Sequence, residues 1–222
     1  MPEHVTPEQF HAAEGTADWR VLSEGATGYF RTGSIAAGAR FAAAIAELSG
    51  IDAPGRQVDL RPHGVTVRLL HRSAEDFGIT SDELELARAV SGIAADQGLR
   101  ADPSLVQTML IIPGAVDNAG IFPFWRALLG YVPRPDSPEE DLVDALELNP
   151  SFWFEGMEQP RPDGGGAIHI AVWLPPEIAR ARVDAALAAG GRLVRDDMAP
   201  MWWTLADPAG NEADVATTTG RG

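Results

Sequence analysis

The 222-residue chain contains no cysteine and no lysine. Without thiols it forms no disulfide, no thiolate nucleophile and no cysteine-based zinc site. All 17 basic residues are arginine, which excludes Schiff-base chemistry through a lysine amine. Positive charge is also scarce: 17 basic against 32 acidic residues leave a formal charge of -15. Binding to nucleic acid or to an anionic membrane needs a basic surface, so neither partner is expected. No apolar run is long enough to span a bilayer, and no basic stretch followed by an apolar core opens the sequence. A cytoplasmic protein is the resulting expectation.

What the chain has is apolar mass. Hydrophobic residues make up 45%, enough for a real core, and 222 residues suit one large or two small domains. Thr6-Pro7-Glu8-Gln9 reads as a helix start, with a capping threonine and proline in the first turn. Trp19–Leu22 and Thr27–Thr32 read as strands. A helix capped by Ser34 follows, its buried face Ile35, Phe41, Ile45 and Leu48 and its end at Gly50. Gln57–Arg61 and Gly64–His71 predict a hairpin with Val65, Val67 and Leu69 on one face. Thr80-Ser81-Asp82-Glu83 is a capping box opening a helix to about Gln97, with Leu84, Ala87, Val90 and Ile93/Ala94 inward. The stretch Leu99–Ser104, with Asp102-Pro103, is the expected boundary between domains.

The second half predicts a strand over Leu105–Ile112, a loop from Asp117, a helix ending at Leu129-Gly130, and a polar loop over Pro133–Glu140. Strands are predicted at Asp144–Leu148 and Ser151–Met157, and a flexible link at Pro160–Gly166. From Ala167 the order becomes clear. Ile168, Ile170 and Val172 alternate with His169, Ala171 and Trp173, as in a strand with one apolar face. A helix from about Glu177 to Ala189 stops at Gly190-Gly191. Short strands follow, the last fed by a turn at Asp207-Pro208-Ala209-Gly210. The order is βαβββ.

This last segment resembles a module of the glyoxalase and bleomycin-resistance (vicinal oxygen chelate) superfamily. The likeness rests on the strand around His169, the helix ending at Gly190-Gly191, and Trp202-Trp203-Thr204-Leu205-Ala206-Asp207-Pro208-Ala209-Gly210-Asn211-Glu212. Such modules work in pairs, which implies a partner module beginning near Val106. The first half resembles pterin-4a-carbinolamine dehydratase through Trp19, Gly28-Tyr29-Phe30-Arg31-Thr32, Val65-x-Val67-x-Leu69 and Ile79-Thr80-x-Asp82-Glu83-Leu84. Where that family carries its paired histidines, this chain has Pro54-Gly55-Arg56-Gln57. His63 and His71 lie nearby but off the motif, so the resemblance implies a domain that has lost its acid–base imidazoles.

The expected fold class is therefore α+β: a pterin-dehydratase-like α/β sandwich over 1–100, then a paired βαβββ glyoxalase-like domain over 105–218, with modules 106–157 and 167–217. The resemblance implies four ligand slots at Gln107, Glu155, His169 and Asp214. All four offer oxygen or imidazole donors suited to one divalent ion, and His169, Glu155 and Asp214 are the candidate acid–base set. The bland alternative is a packed strand histidine with two rim carboxylates. Trp153, Trp173 and Trp203 are expected to share the concave face with His169 and to bind a planar small molecule. Phe124 and Trp125 are expected in the core, and Arg126 and Arg161 on the surface. The functions implied are a lyase or isomerase acting on an aromatic or oxygenated metabolite, a binding protein sequestering a planar ligand, or a retained dehydratase using His63 or His71. A homodimer is expected.

Overall fold

The computed structural model describes residues 3–73, 76–159, 168–206 and 212–220, and of residues 123, 124, 127, 128, 168 and 169 the backbone alone. The chain divides into two compact units, residues 1–106 with 218–222 and residues 107–217. Both mix helix and sheet. No helix among the described residues is long and apolar enough to cross a membrane.

The first unit runs α1 (Pro7–Ala12), β1 (Trp19–Leu22), β2 (Gly25–Arg31), α2 (Ile35–Ala46), β3 (Gln57–Arg61), β4 (Gly64–Leu69), β5 (His71–Arg72), β6 (Phe77–Gly78), α3 (Ser81–Asp96) and β7 (Arg100–Ala101). Its sheet has the order β1-β2-β4-β3, antiparallel throughout, with β7 beside β2. Period-2 alternation sends Ala26, Phe30, Val65, Val67 and Leu69 to one face, where they meet Phe10, Phe41, Ile45 and Val90 of the helices. Trp19, Phe30 and Phe41 stack edge to face, with ring centroids 5.8 and 5.1 Å apart.

Three local expectations change here. Ile35 is half exposed rather than buried. The inward face of α2 is Gly38, Phe41 and Ile45, a 3-4 spacing that Leu48 continues just past the helix end, and Ile35 falls off that stripe. Gly38 lets the helix settle on the sheet, since a Cβ there would lie 2.3 Å from Leu60 Cδ1. The helix ends at Ala46, and Gly50 instead shapes a left-handed turn beyond it. On α3, Leu86 and Glu83 are buried while Leu84 is only partly so.

The second unit runs β8 (Thr108–Ala115), α4 (Asn118–Leu129), β9 (Val132–Arg134), β10 (Ser137–Val143), β11 (Ser151–Trp153), β12 (Glu155–Gly156), β13 (Ile168–Trp173), α5 (Pro176–Ala188), β14 (Arg192–Arg195), β15 (Trp202–Ala206) and β16 (Glu212–Ala216). These form one continuous sheet in the order β14-β15-β16-β13-β8-β11-β10-β9, with β12 also on β8. Each βαβββ half pairs its first strand in parallel with its last, β8 with β11 and β13 with β16. The halves join where β8 and β13 run antiparallel over six residue pairs.

Each half carries one helix on the same kind of apolar face. Phe152, Phe154 and Leu142 pack with Trp125 and Phe122 of α4. Trp203, Leu205 and Val215 pack with Ala179 and Val183 of α5. The first strand starts three residues later than the periodicity implied, because Pro103–Leu105 forms a 3₁₀ turn. The stretch expected as a loop at Pro133–Glu140 is mostly the β9–β10 hairpin. The strand expected at Asp144–Leu148 is a loop: the Asp144 carboxylate accepts hydrogen bonds from the backbone of Leu146, Leu148 and Asn149, which holds the chain in a turn. The expected link at 160–166 and turn at 207–210, with Arg161, lie outside the described residues, as does the Phe124 side chain.

Candidate functional site

Residues paired directly across two strands point to the same face of a sheet. In the second unit the register places Trp173 opposite Thr108, Ala171 opposite Leu110 and His169 opposite Ile112. The β13–β16 pair aligns Ala171 with Asp214 and Trp173 with Ala216. The β15–β16 pair aligns Trp202 with Ala216, Thr204 with Asp214 and Ala206 with Glu212. On the other half, Glu155 lies opposite Gly114 and Trp153 opposite Asp141. The positions of Trp153, Glu155, His169, Glu212 and Asp214 therefore belong to the face that α4 and α5 leave uncovered.

On that face lies a cleft of about 510 Å³. Glu155, Met157, Arg195, Trp202, Glu212 and Asp214 line it, together with Thr204. Glu155 is exposed, Asp214 half-buried and Thr204 buried. Thr204 donates its hydroxyl proton to Asp214 Oδ1 across 2.7 Å. Of the residues singled out from the sequence, Glu155 and Asp214 meet in this cleft. The backbone of His169 lies in β13 one residue before the Ile170–Ala213 pair, level with Glu212; its side chain lies outside the described residues. Among the described residues, no three His, Asp or Glu side chains gather around a point where one metal ion could sit.

The remaining candidates are placed elsewhere. Trp203 is buried against α5 with Leu205 and Val215, on the opposite face. The reason is alternation: Thr204 faces Asp214, so Trp203 turns away and Trp202 takes the cleft position. Gln107 precedes β8, is exposed, and accepts a long hydrogen bond from Arg182 at 3.5 Å. With Thr108 opposite Trp173, the position of Gln107 falls out of phase with the cleft face. Trp173 stands on the cleft face but is buried and does not line the cleft. Trp153 is 41% exposed and lies outside the lining too.

Sequence reading missed Thr204, Trp202 and Arg195. Trp202-Trp203 offered two identical side chains, and a one-residue choice of register decides which reaches the cleft. It also missed Asp141, which is buried on the cleft side of β10 and paired with Arg134 Nη2 at 2.9 Å. Burial pushes its carboxyl up to about 6, against the opposing pull of the Arg134 charge.

Residues 111–216 match the family model of the glyoxalase-like domain. Among solved structures, the chain is similar to a glyoxalase/bleomycin resistance protein/dioxygenase superfamily member from Vibrio splendidus 12B01, with 16% identity over 50% of this chain and 99% of that one and a TM-score of 0.34. It is also similar to an NAD-dependent benzaldehyde dehydrogenase from Legionella pneumophila, with 14% identity over 49% and 97% of the two chains and a TM-score of 0.36. No curated protein matches the chain. The family match stops short of the first unit, whose likeness to pterin dehydratases gains no support from it. The family match assigns a glyoxalase-like domain to residues 111–216, about half of the chain.

Proposed function

We propose that the glyoxalase-like domain is a small-molecule enzyme of lyase or isomerase type, acting on an aromatic or oxygenated metabolite held in the cleft. The observation that carries this reading is the register: it brings Glu155 and Asp214 to one cleft and sets the His169 position on the same face. A carboxylate working with an imidazole can take a proton from a carbon or oxygen centre and return it elsewhere on the substrate. Trp202 and Met157 supply the apolar contact a small organic molecule needs.

The donor set also suits a divalent ion, since carboxylate oxygens and imidazole nitrogen accept metals of intermediate hardness. Glu155, Asp214 and His169 would hold it, and such an ion would supply Lewis-acid polarisation of a substrate oxygen. Metal content of purified protein, measured by elemental mass spectrometry for wild type and His169→Ala, separates the branches. Stoichiometric metal lost in the variant supports the metal branch; turnover without metal, lost in His169→Ala, supports the acid–base branch. Turnover unchanged in His169→Ala, Glu155→Gln and Asp214→Asn would falsify the site.

A second reading, a binding protein that sequesters a planar ligand, draws on the apolar flank formed by Trp202, Met157 and Val194. A ligand that raises the melting temperature and is recovered unchanged favours it. For the first unit we propose a frame without dehydratase chemistry. Arg56 stands where the resemblance would place a motif imidazole, and it is locked in a buried ion pair with Glu83. His63 is exposed, and His71 leans on Asp76 at 3.7 Å. Hydroxypterin turnover that disappears in His63→Ala or His71→Ala would overturn this.

A further inference from the structure

We propose that Thr204 is a positioning residue, holding the Asp214 carboxylate in the one orientation in which it meets whatever the cleft binds. The inference rests on the reading of Asp214 as a working cleft residue, but its first test does not. Thr204 and Asp214 are direct partners in the antiparallel β15–β16 ladder, so their side chains rise side by side. The hydroxyl reaches Oδ1 at 2.7 Å, the usual length of an O–H···O hydrogen bond.

Two features make this bond an orienting one. Thr204 is 6% exposed, so water competes poorly for its hydroxyl. A β-branched side chain in a strand has restricted χ1, so the donor itself is fixed. An aspartate has only two side-chain torsions, and anchoring one oxygen determines where the other lies. The neighbours on the same face of β15 are Ala206 and Trp202, the latter lining the cleft beside Asp214. Outer partners that hold a metal-binding or catalytic carboxylate commonly change affinity by about 10- to 100-fold when removed.

The test uses the full-length protein in three forms: wild type, Thr204→Val and Thr204→Ser. Valine keeps the shape and the strand preference and removes the hydroxyl; serine keeps the hydroxyl. Three-bond couplings in isotopically labelled protein report the Asp214 χ1 rotamer directly. A single rotamer in wild type and in Thr204→Ser, with averaged couplings in Thr204→Val, is the expected result. A single unchanged rotamer in Thr204→Val overturns the proposal.

A second readout is titration with Mn²⁺ alone. Affinity is expected to fall about 10-fold in Thr204→Val and to be restored in Thr204→Ser. Equal affinity in all three overturns the role of Thr204 toward a bound ion. If wild type binds no Mn²⁺, the metal branch of the proposed function fails, and the rotamer measurement alone decides the role of Thr204.

Discussion

Arg56 and Glu83 form a buried ion pair, Arg56 Nη2 to Glu83 Oε1 at 2.6 Å, with side chains 6% and 0% exposed. The other oxygen of Glu83 accepts from the backbone N–H of Thr80 at 3.0 Å and from its hydroxyl, so one carboxylate both caps α3 and receives the guanidinium. Arg56 also donates to the carbonyl of Gly50. The loop after α2 is thereby tied to the first turn of α3.

Removing one partner strands the other charge away from water. Arg56→Ala or Glu83→Ala is expected to cost about 3–5 kcal/mol, whereas a surface ion pair such as Arg61–Asp59 contributes at most about 1. Native-state hydrogen exchange of amides in β2 and β4 reports the loss within the first unit. Protection unchanged in both variants would show that the pair contributes no net stability.

The two adjacent tryptophans of β15 should separate cleanly. Trp203→Ala empties a site in the α5 core and is expected to cost about 3–5 kcal/mol. Trp202→Ala removes a cleft wall and is expected to cost much less, while weakening any ligand found by thermal shift. Urea unfolding followed by tryptophan fluorescence checks this, since five of the six tryptophans lie in residues 107–217. Equal costs for the two variants would contradict the register.

Asp141 makes stability depend on pH in the less common direction. An acid that ionises less readily when folded, here near 6 against an ordinary 3.8, binds more protons in the folded state. Stability therefore falls as pH rises from about 4 to about 6 and stays reduced above that, by on the order of 3 kcal/mol at about 1.4 kcal/mol per unit. Asp141→Asn removes this dependence. The difference in unfolding free energy between wild type and variant, measured from pH 4 to 7, should change with that sign; a flat difference refutes it.

Asp144 acts in the opposite sense. Hydrogen bonds from the Leu146 N–H, the Asn149 side chain and the Leu148 and Asn149 backbone lower its carboxyl below the usual range. The loop should hold its shape at and above the ordinary carboxylate range and lose it as pH falls through the lowered value. Amide resonances of Leu146, Leu148 and Asn149 should titrate together there, and in Asp144→Ala they should shift already at neutral pH. Independent titration of the three amides would show that the carboxylate does not organise the loop.

Much of this protein was legible locally. Thr6, Ser34 and Thr80 each cap the helix that follows, because a side-chain oxygen beside three orphan N–H groups is a signal spanning four residues. Alternation over 168–173 marked a strand, because every second residue needs the same environment. Absolute composition excluded thiol and lysine chemistry outright.

What the sequence could not settle were choices between equivalent neighbours and between local alternatives. Whether Trp202 or Trp203 enters the cleft depends on the hydrogen-bond register of β15 on β16, and a shift of one residue exchanges the two faces. Gln107 fell outside β8 because Pro103–Leu105 took a 3₁₀ turn first. Asp144 overrode a strand-like stretch by offering its carboxylate to three backbone N–H groups. Periodicity and capping are properties of neighbours in the chain, so the sequence alone determined the elements and their apolar faces. Pairing between strands far apart in the chain is decided by the whole sheet at once, so only the tertiary structure decided that Thr204 stands beside Asp214 and that Glu155 lines the same cleft.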